Sequence, residues 1–417
     1  MKPSLQVLPV QLVDHIASYL VFKDILNLRL TSPEPLERMV YMTAHDRVAS
    51  LLRDCTLVGV LGSCTPGSDE QSVEYVRLLT EAFINLKQRS PQTGLDTLRL
   101  SVSLRTRHHE SDDGIDVSKP FERPPRRITW ETAQQTFDVT MTAICKSRLA
   151  VTSHLHLFSS FPACGLVYNA FLPLSQRFVA TGLHRSLERL ASTFSAPHTR
   201  RSRTERDGSL ITSSHAVRGT LLLRTLLEMS SLMPNLKEID IHWYDMGSNT
   251  LISPEDDPVP IAAADYPEST RLQACCLRGL YVPGSDLLEF LKTIQPERLF
   301  LFDIRLVSGT WAPIFEYLTS SDSTTTLCKL DDIREDHRLV HFEVPGQSKF
   351  RYSEVVMGPS TLTKSQDDVK DPIRYRTTWK RALGSGPRMR WWRSKEREYG
   401  PDIDPSDVEF SESDKDE

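Results

Sequence analysis

The chain has 417 residues and a mass of 47.4 kDa, with 39% hydrophobic and 25% charged residues, which is ordinary for a soluble globular protein. A net charge of −5 excludes binding of nucleic acid through overall charge, although local basic patches remain compatible with it. No apolar run approaches the ~18 residues of a membrane span. The seven cysteines are scattered and predict reduced thiols, and the first residues lack a secretory signal, so we expect a protein of the cytoplasm, the nucleus or both.

The first fifty residues predict three short helices. Apolar residues recur every four positions from Leu8 to Leu20, and a second helix is expected over residues 24–30. Ser32 is expected to cap a third helix. The apolar stripe of that helix consists of Leu36, Val40, Ala44, Val48 and Leu52. Because three short helices bury too little surface to be stable alone, we expect them to pack against another protein or against the rest of this chain.

The stretch LPVQLVDHIASYLVFKDILNLRLTS (8–32) resembles the F-box motif, particularly as it occurs in filamentous-fungal proteins. The resemblance implies a trihelical module, residues 4–52, that binds a Skp-type adaptor and through it the cullin scaffold of a ubiquitin ligase. It also implies that six residues contribute to the apolar surface facing the adaptor: Leu8, Pro9, Leu12, Ile16, Leu20 and Leu28. The alternative is an N-terminal hairpin that packs on its own domain.

Residues 53–357 are expected to form a recognition domain of strands, helices and polar loops. The elements expected in its first half are helices around 75–86 and 129–146, strands at 95–104, 153–158 and 186–193, and exposed loops at 105–127 and 195–215.

A recurring leucine pattern marks the second half of this region. LKEIDIHW (236–243) has the spacing L-x-x-I-x-I, and LRGLYV (277–282), RLFLFDIRL (298–306) and LCKLDDI (327–333) repeat it with decreasing regularity. Helical runs are expected to follow two of these strands, at 286–294 and 311–318. The central units are about 22 to 28 residues apart, within the ~20–29 residues of leucine-rich repeats. The region therefore resembles irregular leucine-rich repeats, whose stacked units cover one another, and an ordinary α/β domain is the alternative.

The last sixty residues, 358–417, are expected to form a largely disordered tail that is first basic and then acidic. Its basic block, 374–398, contains Trp391 and Trp392 among arginines and lysines. This mixture fits docking of the tryptophans on the repeat domain, a nuclear-import signal, or stacking on nucleic-acid bases. Because docking or a solvated tail accounts for the same residues, we do not expect nucleic acid to be a partner.

No pattern in the chain predicts catalysis, a metal site or a cofactor. His154 and His156 would share one face of a strand, but no third ligand accompanies them. Cys275 and Cys276 would point to opposite faces, which prevents them from sharing a metal ion. Gly384-Ser385-Gly386 lacks the other residues of a phosphate-binding loop. We therefore expect a chain that is not an enzyme and holds no cofactor.

Two functions fit a non-catalytic chain of this organisation. In the first, which the F-box resemblance implies, the chain is the substrate-recognition subunit of an SCF-type (Skp–cullin–F-box) E3 ubiquitin ligase and binds an unknown target protein through its repeat domain. In the second, it is a leucine-rich-repeat-like interaction scaffold outside any ligase. The predicted fold class is α/β in both cases, with an F-box-like module, a strand–helix repeat domain and a disordered C-terminal tail.

Overall fold

The protein has a mixed α/β fold, which confirms the fold class expected from the sequence. The chain divides into a first unit, Met1–Phe158 with Gln176–Glu188, and a second unit, Ser159–Ser175 with Arg189–Glu417. The computed structural model describes residues 27–30, 33–61, 69–89, 94–104, 126–159, 164–167, 186–195, 208–244, 271–336, 338–344 and 358–379.

The first unit alternates strands and helices along the chain. Its described elements are β1 (Asn27–Leu30), α1 (Pro33–Thr43), α2 (Asp46–Leu51), β2 (Asp54–Leu61), α3 (Asp69–Arg89), β3 (Gly94–Leu104), α4 (Arg126–Ser147) and β4 (Ala150–Leu157). The four strands pair in parallel in the order of the sequence, β1-β2-β3-β4. Because right-handed crossovers between successive parallel strands return on the same side, the helices cover one face of this sheet.

Burial along these strands alternates as one covered face requires. Leu57, Leu100 and Leu157 are fully buried on the helix side, whereas Arg99 and His156 next to them are exposed or half-buried. Helix α3 contacts both α1 and α4, so these helices form a continuous layer. The core of the first unit therefore lies between this layer and the sheet.

Four elements expected in the first unit are confirmed. The helices expected around 75–86 and 129–146 are α3 and α4, and the strands expected at 95–104 and 153–158 are β3 and β4. The apolar stripe of α3 is buried, because Tyr75, Leu79, Phe83 and Leu86 are at most 2% exposed. The strand β2 was not predicted, because the helix around 75–86 was the element expected between residues 53 and 95.

The N-terminal helices expected from the sequence are only partly present. The prediction of a helix over residues 24–30 is wrong in its described part, because Asn27–Leu30 forms the strand β1. The register of this strand with β2 places Leu28 opposite Leu57. Pairing with β2 supplies hydrogen bonds along the whole segment, which outweighs the helical preference of its leucines.

The third expected helix is present as α1, but it ends at Thr43, and the short helix α2 follows. This interruption leaves Ala44 exposed in the middle of the expected apolar stripe. Helix α1 contacts β1 and α3, so the described part of the expected 4–52 module packs within the first unit. Leu8, Pro9, Leu12, Ile16 and Leu20 lie outside the described residues.

The described part of the second unit contains strands of two sheets. Its described elements are β5 (Leu166–Val167), β6 (Arg189–Ser195), α5 (Gly208–Leu232), β7 (Glu238–Tyr244), β8 (Ala274–Arg278), β9 (Tyr281–Pro283), α6 (Gly284–Ile294), β10 (Arg298–Phe302), β11 (Arg305–Ser308), α7 (Ala312–Thr319), β12 (Leu327–Asp331), β13 (Arg334–Glu335), β14 (Arg338–Phe342), β15 (Thr361–Ser365), a 3-10 helix (Gln366–Lys370) and β16 (Tyr375–Trp379). The main sheet has the order β6-β7-β8-β10-β12-β15 and is parallel except for β15. The second sheet has the order β9-β11-β13-β14-β16.

Two strand–turn–strand–helix segments repeat in the second unit, and a third strand–turn–strand segment follows them. Cys275, Leu299 and Cys328 occupy equivalent positions in β8, β10 and β12, and all three are buried. The helices expected at 286–294 and 311–318 are confirmed as α6 and α7. Each segment pairs in register with the next, so each covers the apolar edge of its neighbour.

The turn between the two strands of each segment has a left-handed backbone. Gly279, Asp303 and Asp332 occupy this position with φ of 75°, 50° and 54°. The amide of Gly279 donates to the carbonyl of Phe302 at 2.9 Å, and the amide of Asp303 donates to that of Asp331 at 2.8 Å. The continuous strands expected at 277–282 and 298–306 are therefore wrong, because this turn divides each of them into two strands of different sheets.

Both polar stretches that were expected to lack structure contain regular elements. Residues 208–215 of the expected 195–215 loop begin helix α5, and residues 358–379 of the expected tail form β15, the 3-10 helix and β16. The 105–127 loop lies outside the described residues except at 126–127, which begin α4. Strand β15 forms despite its polar sequence because it pairs with β12, buries Leu362 and donates a hydrogen bond from Thr361 to Asp331.

The C-terminal segment is fixed to the last repeated segment by polar contacts. Lys370 Nζ donates to the carbonyls of Ser320 and Ser323, at 2.9 and 2.7 Å, just after the C-terminus of α7, where a cation is favoured. The hydroxyl of Tyr375 donates to Glu335 Oε1 at 2.5 Å. These bonds explain why residues 358–379 are ordered despite their lack of an apolar pattern.

The left-handed turn gives a test of the fold. A Cβ atom at Gly279 would lie 2.2 Å from the carbonyl oxygen of Trp243, and its φ disfavours any L side chain. We expect Gly279→Ala to lower the free energy of unfolding by about 2 kcal/mol or more. The matched control is Gly309→Ala, because Gly309 has a similar φ of 80° but a Cβ atom there would lie 3.7 Å from its nearest neighbour, so this variant should cost only about 1 kcal/mol. Urea unfolding followed by tryptophan fluorescence measures both, and equal effects would contradict the described turn.

Candidate functional site

The main sheet of the second unit has one face turned away from its helices. On the helix side, buried pairs repeat from strand to strand: Ile239 and Ile241, Cys275 and Leu277, Leu299 and Leu301, Cys328 and Leu330. The residues between them point to the opposite side, which we call the open face. Described residues on the open face include Glu238, Asp240, His242, Cys276, Arg278, Arg298, Phe300, Phe302, Lys329 and Asp331.

An ion-pair row crosses one end of the open face. Glu238 on β7 lies between Arg189 on β6 and Arg298, which reaches it from β10. The guanidinium of Arg298 donates to Glu238 Oε1 at 2.8 Å, and Arg189 Nε lies 3.4 Å from Oε2. Both oxygens of this carboxylate are therefore occupied by arginines of the same face.

Two cations lie over one aromatic ring at the other end of the open face. The guanidinium carbon of Arg278, on β8, is 5.0 Å from the centroid of Phe302, and Lys329 Nζ, on β12, is 5.5 Å from it. Both distances are within the range of cation–π attraction. Phe300 and Phe302 are half-buried, so their rings form an apolar surface between charged side chains.

His242 lies beside this aromatic–cation patch, opposite Arg278 in the register of the sheet. Burial lowers the pKa of His242 to about 3, Arg278 acts in the same direction, and Asp303 opposes the shift. The imidazole is therefore neutral at physiological pH, and it can donate or accept a hydrogen bond without adding charge.

The carboxylates at the end of β12 have local hydrogen-bond partners. Asp331 Oδ1 accepts a bond from Thr361 Oγ1 at 2.7 Å, and Asp332 Oδ1 accepts one from Ser360 Oγ at 2.9 Å. Both donors belong to the C-terminal segment that carries β15. These two carboxylates therefore help to attach the C-terminal segment to β12.

The buried cysteines of the described residues are protonated thiols. Burial is the main cause that raises the pKa of Cys55, Cys276 and Cys328 to about 12, far above physiological pH. Cys275 faces the helices while Cys276 lies on the open face, as the alternation of a strand requires. Within the described residues, no group of three or more histidine, cysteine or acidic side chains can hold a metal ion.

The first unit has a comparable polar face. His154 and His156 are half-buried on β4, and their rings stack with centroids 6.0 Å apart. Arg99, on β3, pairs with His156 in register and is exposed. The pair lies on one face as predicted, and nothing in its described surroundings completes a metal site.

The residues predicted to contact an adaptor are not brought together in the described structure. Five of the six precede residue 27 and lie outside it, and Leu28 is in β1. Gly384, Trp391 and Trp392 also lie outside the described residues. The sequence analysis missed three residues of this face: Arg278, Phe302 and Lys329. Each lies between buried positions of the repeating leucine pattern, so the alternation of buried and exposed residues could have identified them.

The open face is suited to binding a macromolecular surface. It combines ion pairs, two half-buried phenyl rings and cations across neighbouring strands of one sheet, as protein interfaces often do. None of the helices in the described part of the chain combines the length and the hydropathy needed to cross a bilayer. A comparison with known proteins found no matching family model, no similar curated protein and no similar solved structure.

The low pKa of His242 predicts how stability depends on pH. Below about pH 6.5 the unfolded chain binds a proton at this residue that the folded chain does not bind until about pH 3. Stability is therefore expected to decrease as the pH falls through this window. In His242→Gln the decrease should be smaller, and urea unfolding of both proteins at pH 7.5 and 4.5 measures the difference. Comparison of the two proteins at pH 7.5 gives the effect of the substitution itself. Equal losses of stability on acidification would contradict the low pKa of His242.

Proposed function

We propose that this chain is the substrate-recognition subunit of an SCF-type E3 ubiquitin ligase. In this proposal the N-terminal segment binds a Skp-type adaptor and through it a cullin scaffold, and the open face binds the target protein. The open face carries the recognition half of the proposal, because the described helices lie on the other side of the sheet and the charged and aromatic side chains of this face are partly exposed. The sequence of residues 8–32 carries the adaptor half.

The repeated segments of the second unit support the recognition role. They stack in register like irregular leucine-rich repeats, in which each unit contributes one strand to a common surface. In such an array the buried leucine positions keep the shape while the residues between them vary. Arg278, Phe302 and Lys329 come from three successive strands, so a target lying across the strands would contact all three.

Exposed apolar side chains on α1 and α2 support a partner near the N-terminal segment. Tyr41 and Leu51 are 41% and 47% exposed, so both offer apolar surface to a partner. These helices follow directly after the F-box-like residues 8–32. A Skp-type adaptor that binds this segment would have additional apolar surface available beside it.

The chain itself contributes no catalytic group in this proposal. A ubiquitin ligase of this type works by holding the target close to activated ubiquitin on another subunit, which is a proximity effect. The protonated thiols of the described residues agree with this role, because a thioester-forming cysteine needs a thiolate. The cytoplasm and the nucleus are the compartments in which such a complex would act.

A second candidate is an interaction scaffold that acts outside any ligase. The observation that favours it is the strand β1, which takes the last residues of the F-box-like stretch, including Leu28, into the sheet of the first unit. A hairpin that packs on its own sheet would need no adaptor. The two candidates differ in whether the cullin accompanies the chain from cells.

The adaptor half is tested by charged substitutions in the N-terminal segment. We expect Leu12→Glu and Ile16→Glu to reduce capture of the Skp-type adaptor by more than about tenfold, because a charge in an apolar interface is costly to desolvate. Val73→Glu is the matched control, since Val73 is 68% exposed on α3 and lies outside the F-box-like stretch. Affinity purification from cells, with mass spectrometry of the adaptor and the cullin, measures the effect.

Two results would reject the assignment. If correctly folded Leu12→Glu and Ile16→Glu proteins capture the adaptor as well as the wild type does, these residues do not bind it. Capture of the adaptor without the cullin would favour the scaffold.

A further inference from the structure

We infer that strand β1 represents an adaptor-free state of the N-terminal segment, and that binding of the Skp-type adaptor releases β1 from the sheet of the first unit. This inference rests on the proposed function, because it assumes that the N-terminal segment binds the adaptor. It adds regulation of that binding, since the adaptor and the strand β2 compete for the same residues of the chain.

The first argument is that residues 24–30 have two incompatible uses. Their apolar pattern predicts a helix, and Leu28 is among the residues that the F-box resemblance places against the adaptor. The described part, Asn27–Leu30, is instead a strand that pairs with residues 56–59 of β2. A helix rises about 1.5 Å per residue and a strand about 3.3 Å, and a helix uses its amides for internal hydrogen bonds. This segment therefore cannot pair with β2 and form the second helix of the adaptor-binding module at the same time.

The second argument is that β1 is short and lies at one end of the described strand order. It has four residues, and within the described part of the chain it pairs along one edge only, with β2. Strand β2 has eight residues and pairs along its whole length with β3. Because fewer hydrogen bonds are broken, a short terminal strand opens at lower cost than a strand inside the sheet. Release of β1 would therefore leave the pairing of β2 with β3 in place.

The third argument is that β2 is held firmly from the helix side. Gly59 lies so close to α4 that a Cβ atom at this position would collide with the side chain of Thr136. Leu57 is fully buried on the same side, and α4 contacts both β2 and β3. These contacts do not involve β1. The edge of β2 is therefore a fixed template to which residues 27–30 return when no adaptor is bound.

The consequence is that the chain limits its own affinity for the adaptor. A partner that binds only the released form has an apparent affinity that is reduced by the fraction of chains in that form. The alternative is an adaptor that binds through residues 8–20 alone and leaves β1 in the sheet. This alternative is an outcome of the tests.

Hydrogen exchange of the full-length chain detects the release of β1. Exchange is measured by mass spectrometry with and without an excess of a purified fungal Skp-type adaptor. At residues 56–59, we expect the β2 amides that face β1 to exchange at least about tenfold faster in the complex, because they lose their partner strand. The amides of β3 are the internal control and should change by less than about twofold, since β3 lies between β2 and β4.

A disulfide between β1 and β2 tests the inference by preventing release. Asn27 and Thr56 are partners in the register, and adjacent strands are about 4.8 Å apart, a separation that a disulfide can span. We expect the oxidised double variant Asn27→Cys with Thr56→Cys to capture the adaptor at least about tenfold less well than the wild type, and reduction should restore capture.

The single variant Thr56→Cys, under the same oxidising conditions, is the matched control and should capture the adaptor as the wild type does. The neighbouring Cys55 is not expected to compete for the new thiols, because burial raises its pKa to about 12 and keeps it protonated. Counting of free thiols verifies the disulfide, and circular dichroism verifies folding.

Three results would overturn the inference: unchanged exchange of the β2 amides in the complex, undiminished capture by the oxidised double variant, or failure of that variant to form the disulfide. If the wild-type chain captures the adaptor and one of these results is obtained, only the inference fails. If the wild-type chain captures no adaptor, the proposed ligase function fails, whatever the disulfide does.

Discussion

Lateral pairing of parallel strands in register is the constraint on which the rest of the second unit depends. Each strand–helix segment has an apolar side that water must not reach, and its neighbour is the element that covers it. Fully burying one leucine side chain stabilises the fold by about 1.5–3 kcal/mol. Leu277, Leu299, Leu301 and Leu330 are 0% exposed, so a slip of one residue in register would turn all of them toward the open face. The left-handed turns at Gly279, Asp303 and Asp332 hold this register, since each begins a second strand at the same place.

The same constraint creates the surface that we assign to recognition. The described helices return on one side of the sheet, and successive strands present their alternate residues as rows on the other side. Charges in such rows are only half-exposed, which makes their interactions stronger than those of isolated surface charges. The pairing of Glu238 with two arginines and the approach of two cations to Phe302 both follow from residues placed opposite each other by the register. The register of the parallel strands therefore determines both the fold of the second unit and the arrangement of the candidate site.

The sequence predicted those parts of the fold in which local pattern and burial agree. Helices α3, α6 and α7 each have one apolar stripe, and strands β3 and β10 alternate, so periodicity was sufficient. Helix α5 was missed because its apolar residues, TLLLRTLLEM (220–229), cover most of its circumference and give no single stripe. Strands β1 and β15 were missed because pairing with a neighbour, rather than their own composition, holds them in place. The open face needed the register as well, since residues such as Arg278 and Lys329 are 51 positions apart in the chain and meet only when β8, β10 and β12 align. The six adaptor-facing residues remain a prediction.

The reversed direction of β15 limits how this architecture can evolve. A strand that runs antiparallel to β12 ends the succession of parallel segments, and the bonds from Lys370, Tyr375 and Thr361 attach it to that final segment. A duplicated segment added after residue 379 would find no parallel edge to join on that side of the sheet. Gene duplication can therefore lengthen the array on that side only by insertion before Thr361, where each new segment would also add one more row of side chains to the surface of the sheet.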